Sequence, residues 1–288
     1  MNRSSGAPGL GDLTGDKLYE QRGRAALPVL VRQARAQQTM FYGDLARELD
    51  MPNPRNLDYV LGAVGSSMLK LSKKWGEEVP PIQALVVNRN SGLPGEGIAW
   101  FAPDAADFAA APRSKRERTV QRMLDEVYTF SKWDQVLAEF GLEPVDPPVS
   151  VLPPATAIRP EVHGGEGSTH QELKAKAAEH PEWFGLPGSL APGSIESPLY
   201  SGDRVDVMFE DEQHRVAVEI KTGSAVDAEL VRGLFQCVKY LAVMEAEAQV
   251  GQQTTDCRAI LAIGGSLPPH LIPVRTTLGV ELREHLEG

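Results

Sequence analysis

Apolar and polar positions alternate twice in quick succession between Ser201 and Lys221, S-G-D-R-V-D-V-M-F-E-D-E-Q-H-R-V-A-V-E-I-K. The runs Arg204–Phe209 and Arg215–Lys221 read as two strands, each with one buried face. In the first, Val205, Val207 and Phe209 share a face and Asp206 lies on the other. In the second, Val216, Val218 and Ile220 share a face, leaving Glu219 and Lys221 opposite. A turn centred between Glu212 and Gln213 sets Asp206 across from Glu219 and Val207 across from Val218. That register keeps every apolar residue on one side, and a slip of one residue breaks it.

Around this hairpin the second half of the chain predicts an α/β core. The stretch G-G-E-G-S-T-H-Q-E-L-K-A-K-A-A-E-H-P reads as a helix stopped by Pro181. Trp183–Pro192 reads as a loop, and Ile195–Tyr200 as a first strand. Beyond Lys221 a turn caps a helix from about Ala225 to Glu247, whose Leu230, Leu234, Val238 and Leu241 bury one face. Arg258–Ile263 reads as a buried strand, and a short helix and a final strand or helix close the chain. Helices and strands in this order make a sandwich around a mixed sheet.

The first half is mostly helical. Residues 1–15 are Gly/Ser/Pro-rich and predicted to be disordered. A helix over Asp16–Gln38 is expected to break or kink at Pro28. Asn53 as N-cap with Pro54 behind it opens another helix, running to about Trp75, with Leu57, Val60, Leu61, Val64, Met68 and Leu71 as its apolar stripe. Ile82–Val87 reads as a strand, a glycine-rich turn follows, and I-A-W-F reads as a second strand, so that the pair forms a wing. Arg113–Phe140 is a long helical stretch that opens with basic residues. Prolines crowd Leu142–Gly165, a semi-extended linker. The expected divisions are a tail over 1–15, a winged-helix-like domain over 16–110, connecting helices over 111–141, the linker over 142–165 and the α/β domain over 166–288.

Charge and composition narrow the functions only slightly. The chain carries a formal net charge of −10, with 18 Lys/Arg against 19 Asp/Glu in residues 1–150 and 11 against 20 in residues 151–288. The acidity sits in the half with the hairpin, where a cation would offset part of it. No run approaches the roughly 18 apolar residues of a membrane span, and the N-terminus has no hydrophobic signal core. The two cysteines, Cys237 and Cys257, have no ligand-like spacing, which points to a cytoplasmic protein with reduced thiols.

Two carboxylates across a strand pair repel each other unless a cation or a proton lies between them. Asp206 and Glu219 therefore suggest a divalent-cation site; the alternative is a solvated sheet face. Asp206, followed thirteen residues later by E-I-K at 219–221, resembles the active-site hairpin of the PD-(D/E)XK nuclease superfamily, with Val205 in the place of the family's proline. The resemblance implies that Asp206 and Glu219 hold Mg²⁺ or Mn²⁺ and that Lys221 orients water or phosphate. Family members often add a carboxylate from the preceding helix. Here Glu166, in line with His170 and Lys174, is favoured for that place over Glu172, which also fits a capping box with Thr169; His170 is a candidate to bind the metal or position a phosphate. Q-x-x-x-Y at Gln236 and Tyr240 is similar to the motif that follows E-x-K in the RecB-like branch, where the glutamine places substrate or lysine. Arg232 and Lys239 lie on nearby turns of that helix.

In the first half, Y-G-D-L-A followed by V-V-N and G-L-P-G resembles the winged-helix DNA-binding domain of alkyltransferase-like proteins. The reactive P-C-H-R of the active alkyltransferases is missing, so that activity is not implied. Arg55, Arg89 and Asn90 are its candidate DNA contacts. The expectation is thus a metal-dependent nuclease acting on DNA, with a role in restriction or phage defence as an extension of the family. A protein activator or a second copy are possible partners; no membrane is implied. The alternatives are a non-catalytic DNA- or protein-binding scaffold with a nuclease-like fold, and RNA as the substrate.

Overall fold

A computed structural model describes residues 11–102, 108, 110–145, 168–252 and 255–286. Contacts divide the chain into two compact units, Met1–Pro147 and Pro148–Gly288. Residues 1–10 and most of the proline-rich 142–165 stretch lie outside the described residues. Among those described, no helix is long and apolar enough to cross a membrane.

The first unit is built on helices α1 (Leu18–Ala36), α2 (Tyr42–Glu48), α3 (Leu57–Trp75), α4 (Arg113–Thr129) and α5 (Trp133–Glu139). Of the break or kink expected at Pro28, the break does not occur: α1 runs through it from Leu18 to Ala36. Proline removes a single backbone donor there, while Leu27, Leu30 and Val31 beside it are all but fully buried. Asn53 caps as expected, its Oδ1 accepting the Arg55 N–H at 3.0 Å, and a short 3₁₀ turn from Pro54 leads into α3. The predicted stretch Arg113–Phe140 is two helices, parted at residues 130–132.

The wing is not formed. Strand β1 (Met40–Phe41) pairs in parallel with β2 (Val86–Val87). Residues 82–85 before β2 are 3₁₀, and so is Glu96–Phe101, where the wing's second strand is predicted. Local turns take up the backbone groups that a ladder would need. Asn88 O accepts the Gly92 N–H and Asn88 N–H donates to Leu93 O, each at 2.8 Å, with Gly92 in the left-handed region at φ +66°. Gly95 N–H donates to the Tyr42 hydroxyl at 3.0 Å.

The second unit is an α/β fold. Helix α6 (Ser168–Glu179) precedes strands β3 (Ser194–Pro198), β4 (Arg204–Glu210) and β5 (His214–Lys221). Helix α7 (Asp227–Val250), strand β6 (Asp256–Ile263), helix α8 (Ile272–Leu278) and strand β7 (Glu281–Arg283) follow. The five strands lie in chain order, antiparallel from β3 to β5 and parallel from β5 to β7. A parallel step requires a crossover, and α7 supplies it. The predicted register holds for Val207 opposite Val218 and Phe209 opposite Val216, but the ladder stops at the first of these pairs and the predicted pairing of Asp206 with Glu219 is not made.

The hairpin differs from its pattern first in that both of its faces are buried. Val207, Phe209, Val216, Val218 and Ile220 pack with Leu173 and Ala177 of α6 and with Phe184. Ala217 packs on the other side with Leu230, Leu234, Cys237, Tyr240 and Met244 of α7. Val205 belongs to this second cluster, away from the Val207 and Phe209 with which alternation groups it. Strand regularity fails between them, at Asp206: the β3–β4 ladder skips the Glu196–Asp206 position, and the β4–β5 ladder ends at Val207–Val218. Glu196 takes φ +55°, a conformation that costs a non-glycine residue energy.

Phe209, 1 % exposed, meets Phe184 with ring centroids 5.5 Å apart. Phe209→Ala is expected to destabilise the second unit by about 3–5 kcal/mol. The check is hydrogen exchange in the full chain, where protection of the β4 and β5 amides falls and that of α1 and α3 does not.

Candidate active site

The irregularity at Asp206 is where the charged residues gather. In a continued ladder the Ile220 N–H would face the backbone of residue 205. Instead it donates to Asp206 Oδ2 at 2.8 Å. A side-chain carboxylate thus replaces a strand partner, and β4 parts from β5 at the point where Glu219 and Lys221 lie. Asp206 turns toward α6, where Lys174 Nζ is 3.3 Å from Oδ1 and His170 Nε2 is 3.8 Å from Oδ2. His170 Nε2 is also 2.9 Å from Ile220 O. Lys174 contacts Glu196 Oε1 as well, so one ammonium touches two carboxylates.

Glu219 faces α7 and is 3 % exposed. Lys221 Nζ donates to its Oε1 at 2.6 Å, and the Tyr240 hydroxyl is 3.1 Å from its Oε2. Burial pushes the Glu219 pKa up, the negative charge of Asp206 raises it further, and Lys221 and Tyr240 offset part of this, leaving it at about 7. The Tyr240 hydroxyl is also 3.0 Å from Arg204 O, and Gln236 Nε2 donates to it at 3.2 Å. With one proton and two acceptors, Tyr240 can serve Arg204 O and Glu219 together only when Glu219 is protonated and itself donates. Burial and the Glu219 charge raise the Tyr240 pKa as well. Gln236 Oε1 is buried with no hydrogen-bond partner among the described residues.

The helix carrying Tyr240 comes close because Gly233 has no side chain. A Cβ there would lie 2.8 Å from Leu261 Cδ1, 3.3 Å from Lys221 Cε and 3.6 Å from Glu219 Cγ. Cys237 is fully packed in the same layer, its thiol pKa pushed well up by burial. This is packing rather than thiol chemistry.

The residues singled out in the sequence fall into two sets, Asp206 with His170 on the α6 side and Glu219 with Lys221, Tyr240 and Gln236 on the α7 side, joined through the backbone at Ile220. Glu166 lies outside the described residues. Glu172 is exposed on α6, on a different face from Leu173 and Lys174, and Thr169 stands inside the helix rather than at its N-cap. The capping box expected for that pair is therefore not made. Lys239 is exposed and donates to Asp203 at 2.7 Å, and Arg232 is half-buried on α7. In the first unit, Arg55, Arg89 and Asn90 are exposed, with the Arg89 guanidinium 4.8 Å from the centre of the Phe41 ring. Two residues of the site carry no sequence signal. Glu196 lies in an ordinary S-I-E-S-P strand, and Gly233 is one glycine among the 27 of the chain.

The donor set suits a hard cation. Asp206 and Glu219 offer carboxylate oxygens, and Mg²⁺ is commonly held by one or two carboxylates with water and phosphate oxygens. Among the described residues, no group of three or more His, Cys, Asp and Glu side chains is placed to hold a metal ion. A site here would therefore draw part of its coordination from water or substrate. No family model matches the chain, and no curated protein or solved structure is similar to it at a significant level.

The raised Glu219 pKa makes stability depend on pH. Between the ordinary carboxyl value and about 7 the folded state holds a proton that the unfolded state has lost. Stability is fully present below that window and falls as pH rises through it, by on the order of 3 kcal/mol. Glu219→Gln is expected to flatten this part of the profile, as measured by metal-free urea denaturation of the full chain from pH 4 to 8. An unchanged slope in the variant would place the titration elsewhere.

Proposed function

We propose that the second unit is a metal-dependent phosphodiesterase of the PD-(D/E)XK type, acting on DNA. The observation that carries this reading is the junction of β4 and β5, where a buried Glu219 paired to Lys221 lies beside Asp206. Asp206 and Glu219 are the residues that would hold the metal. The bound cation would supply Lewis acidity, neutralising phosphate charge and making water a better nucleophile.

The chain's own residues have separable tasks. Lys221, two residues beyond Glu219 on the same strand, presents its ammonium beside the carboxylate, where it can orient water or stabilise a phosphate oxygen. Tyr240 holds Glu219 Oε2, and Gln236 orients the Tyr240 hydroxyl. His170, bridging Ile220 O and the neighbourhood of Asp206, ties α6 to the end of β5. The outer basic residues of α7, Arg232 and Lys239, could meet the sugar–phosphate backbone. A restriction or defence role extends this reading through the family resemblance.

One observation favours a second reading. Asp206 and Glu219 each already contact an ammonium of the chain, Lys174 and Lys221. A self-neutralised group of this kind suits a nuclease-like scaffold that binds DNA or protein without turnover. Incubation of supercoiled plasmid with the full chain and Mg²⁺ or Mn²⁺ separates the two. Nicking is expected for the wild type and none with chelator. Asp206→Ala and Lys221→Ala should each lose on the order of a hundredfold or more in rate. Binding that ignores metal, with no cleavage, establishes the scaffold. Replacing the plasmid with a folded RNA of similar length tests the RNA alternative.

A further inference from the structure

An ammonium group is seldom taken wholly out of water, yet the Lys174 side chain is 2 % exposed. It sits on the buried face of α6 beside Leu173 and Ala177, with Nζ 3.3 Å from Asp206 Oδ1 and in contact with Glu196 Oε1. Holding α6 against β4 does not require a charge. A buried ion pair is often no more stabilising than apolar side chains of the same volume, whereas breaking one leaves an uncompensated charge. The lysine therefore calls for a different account from its leucine and alanine neighbours.

Two carboxylates face its ammonium. One carboxylate, Asp206, is nearly buried and fixed from its other oxygen by the Ile220 N–H. The other, Glu196, is 39 % exposed and stands on a backbone at φ +55°. We propose that Lys174 is the resident cation of the Asp206 side of the site. It neutralises Asp206 when no divalent cation is present, competes with one for that carboxylate, and so sets the concentration at which the site fills. Glu196 makes the exchange feasible: an ammonium already touching it can give up Asp206 without being left unpaired in the protein interior. Lys174 is thus a positioning residue acting through Asp206. The inference rests on the metal-dependent reading above, but a separate measurement tests it.

That measurement is calorimetric titration of the full chain with Mn²⁺ alone, in the wild type, Lys174→Gln and Lys174→Arg. Glutamine keeps a hydrogen-bonding side chain of similar reach and removes the charge. Lys174→Gln is expected to bind Mn²⁺ tighter by on the order of tenfold or more, while Lys174→Arg stays near the wild type. Should Lys174→Gln be unfolded without metal, recovery of its circular dichroism on adding Mn²⁺ is the same result, the external ion having replaced the resident one. Mn²⁺ affinity in Lys174→Gln no higher than in the wild type, or no recovery of the unfolded variant, overturns the proposal. Tighter Mn²⁺ binding in a protein whose wild type nicks nothing removes the nuclease reading and leaves this one standing. Nicking by the wild type with unchanged Mn²⁺ affinity in Lys174→Gln does the reverse.

Discussion

A carboxylate placed inside a protein core is the constraint to which the second unit answers. Glu219 occupies a strand position whose neighbours, Ala217 and Leu261, are packing residues under α7. Everything around it reduces the cost of a charge there. Lys221 supplies an ammonium and Tyr240 a hydroxyl, while Gly233 lets the helix that brings the tyrosine lie close. The arrangement compensates incompletely, which is why the carboxyl holds its proton to near neutrality. A group balanced in this way responds to a small change in nearby charge, a property common at functional sites and unusual in a purely structural core.

Asp206 meets a different demand. It stands where the antiparallel ladder stops, and its carboxylate takes the backbone donor that the ladder would have satisfied. One side chain thus ends a strand pairing and turns a charge toward α6. The helix answers with a lysine and a histidine from the face that also carries Leu173 and Ala177. The two carboxylates are served from opposite layers of the sandwich.

Much of this was readable from the residues. Alternation in Arg204–Phe209 and Arg215–Lys221 gave the strands, their register and the pairing of Val207 with Val218, because a period of two leaves no other arrangement with every valine inward. The i, i+4 spacing of Gln236 and Tyr240 gave their contact. Alternation could not reveal that the polar face is covered as well. An alanine and a glutamate read as solvated until the helix lying over them is known, so the burial of Glu219 and its raised pKa were out of reach. Val205 was misplaced for the related reason that a break in strand geometry leaves no mark in composition. The wing failed because V-V-N-R-N-S-G-L-P-G fits a self-contained turn as well as it fits a hairpin, and local hydrogen bonds decided between them. Glu196 was invisible because its importance lies in a backbone angle and a neighbour 22 residues away in sequence.

The outer strand of the sheet has a consequence of its own. An edge strand offers free N–H and C=O groups that invite another chain to add itself. β3 is only five residues long, is distorted in its middle at Glu196 and ends on Pro198, which has no N–H to donate. A foreign strand would find no straight run of more than two residues on which to align. The bend that brings Glu196 to Lys174 thereby also guards the sheet against growing into a fibril.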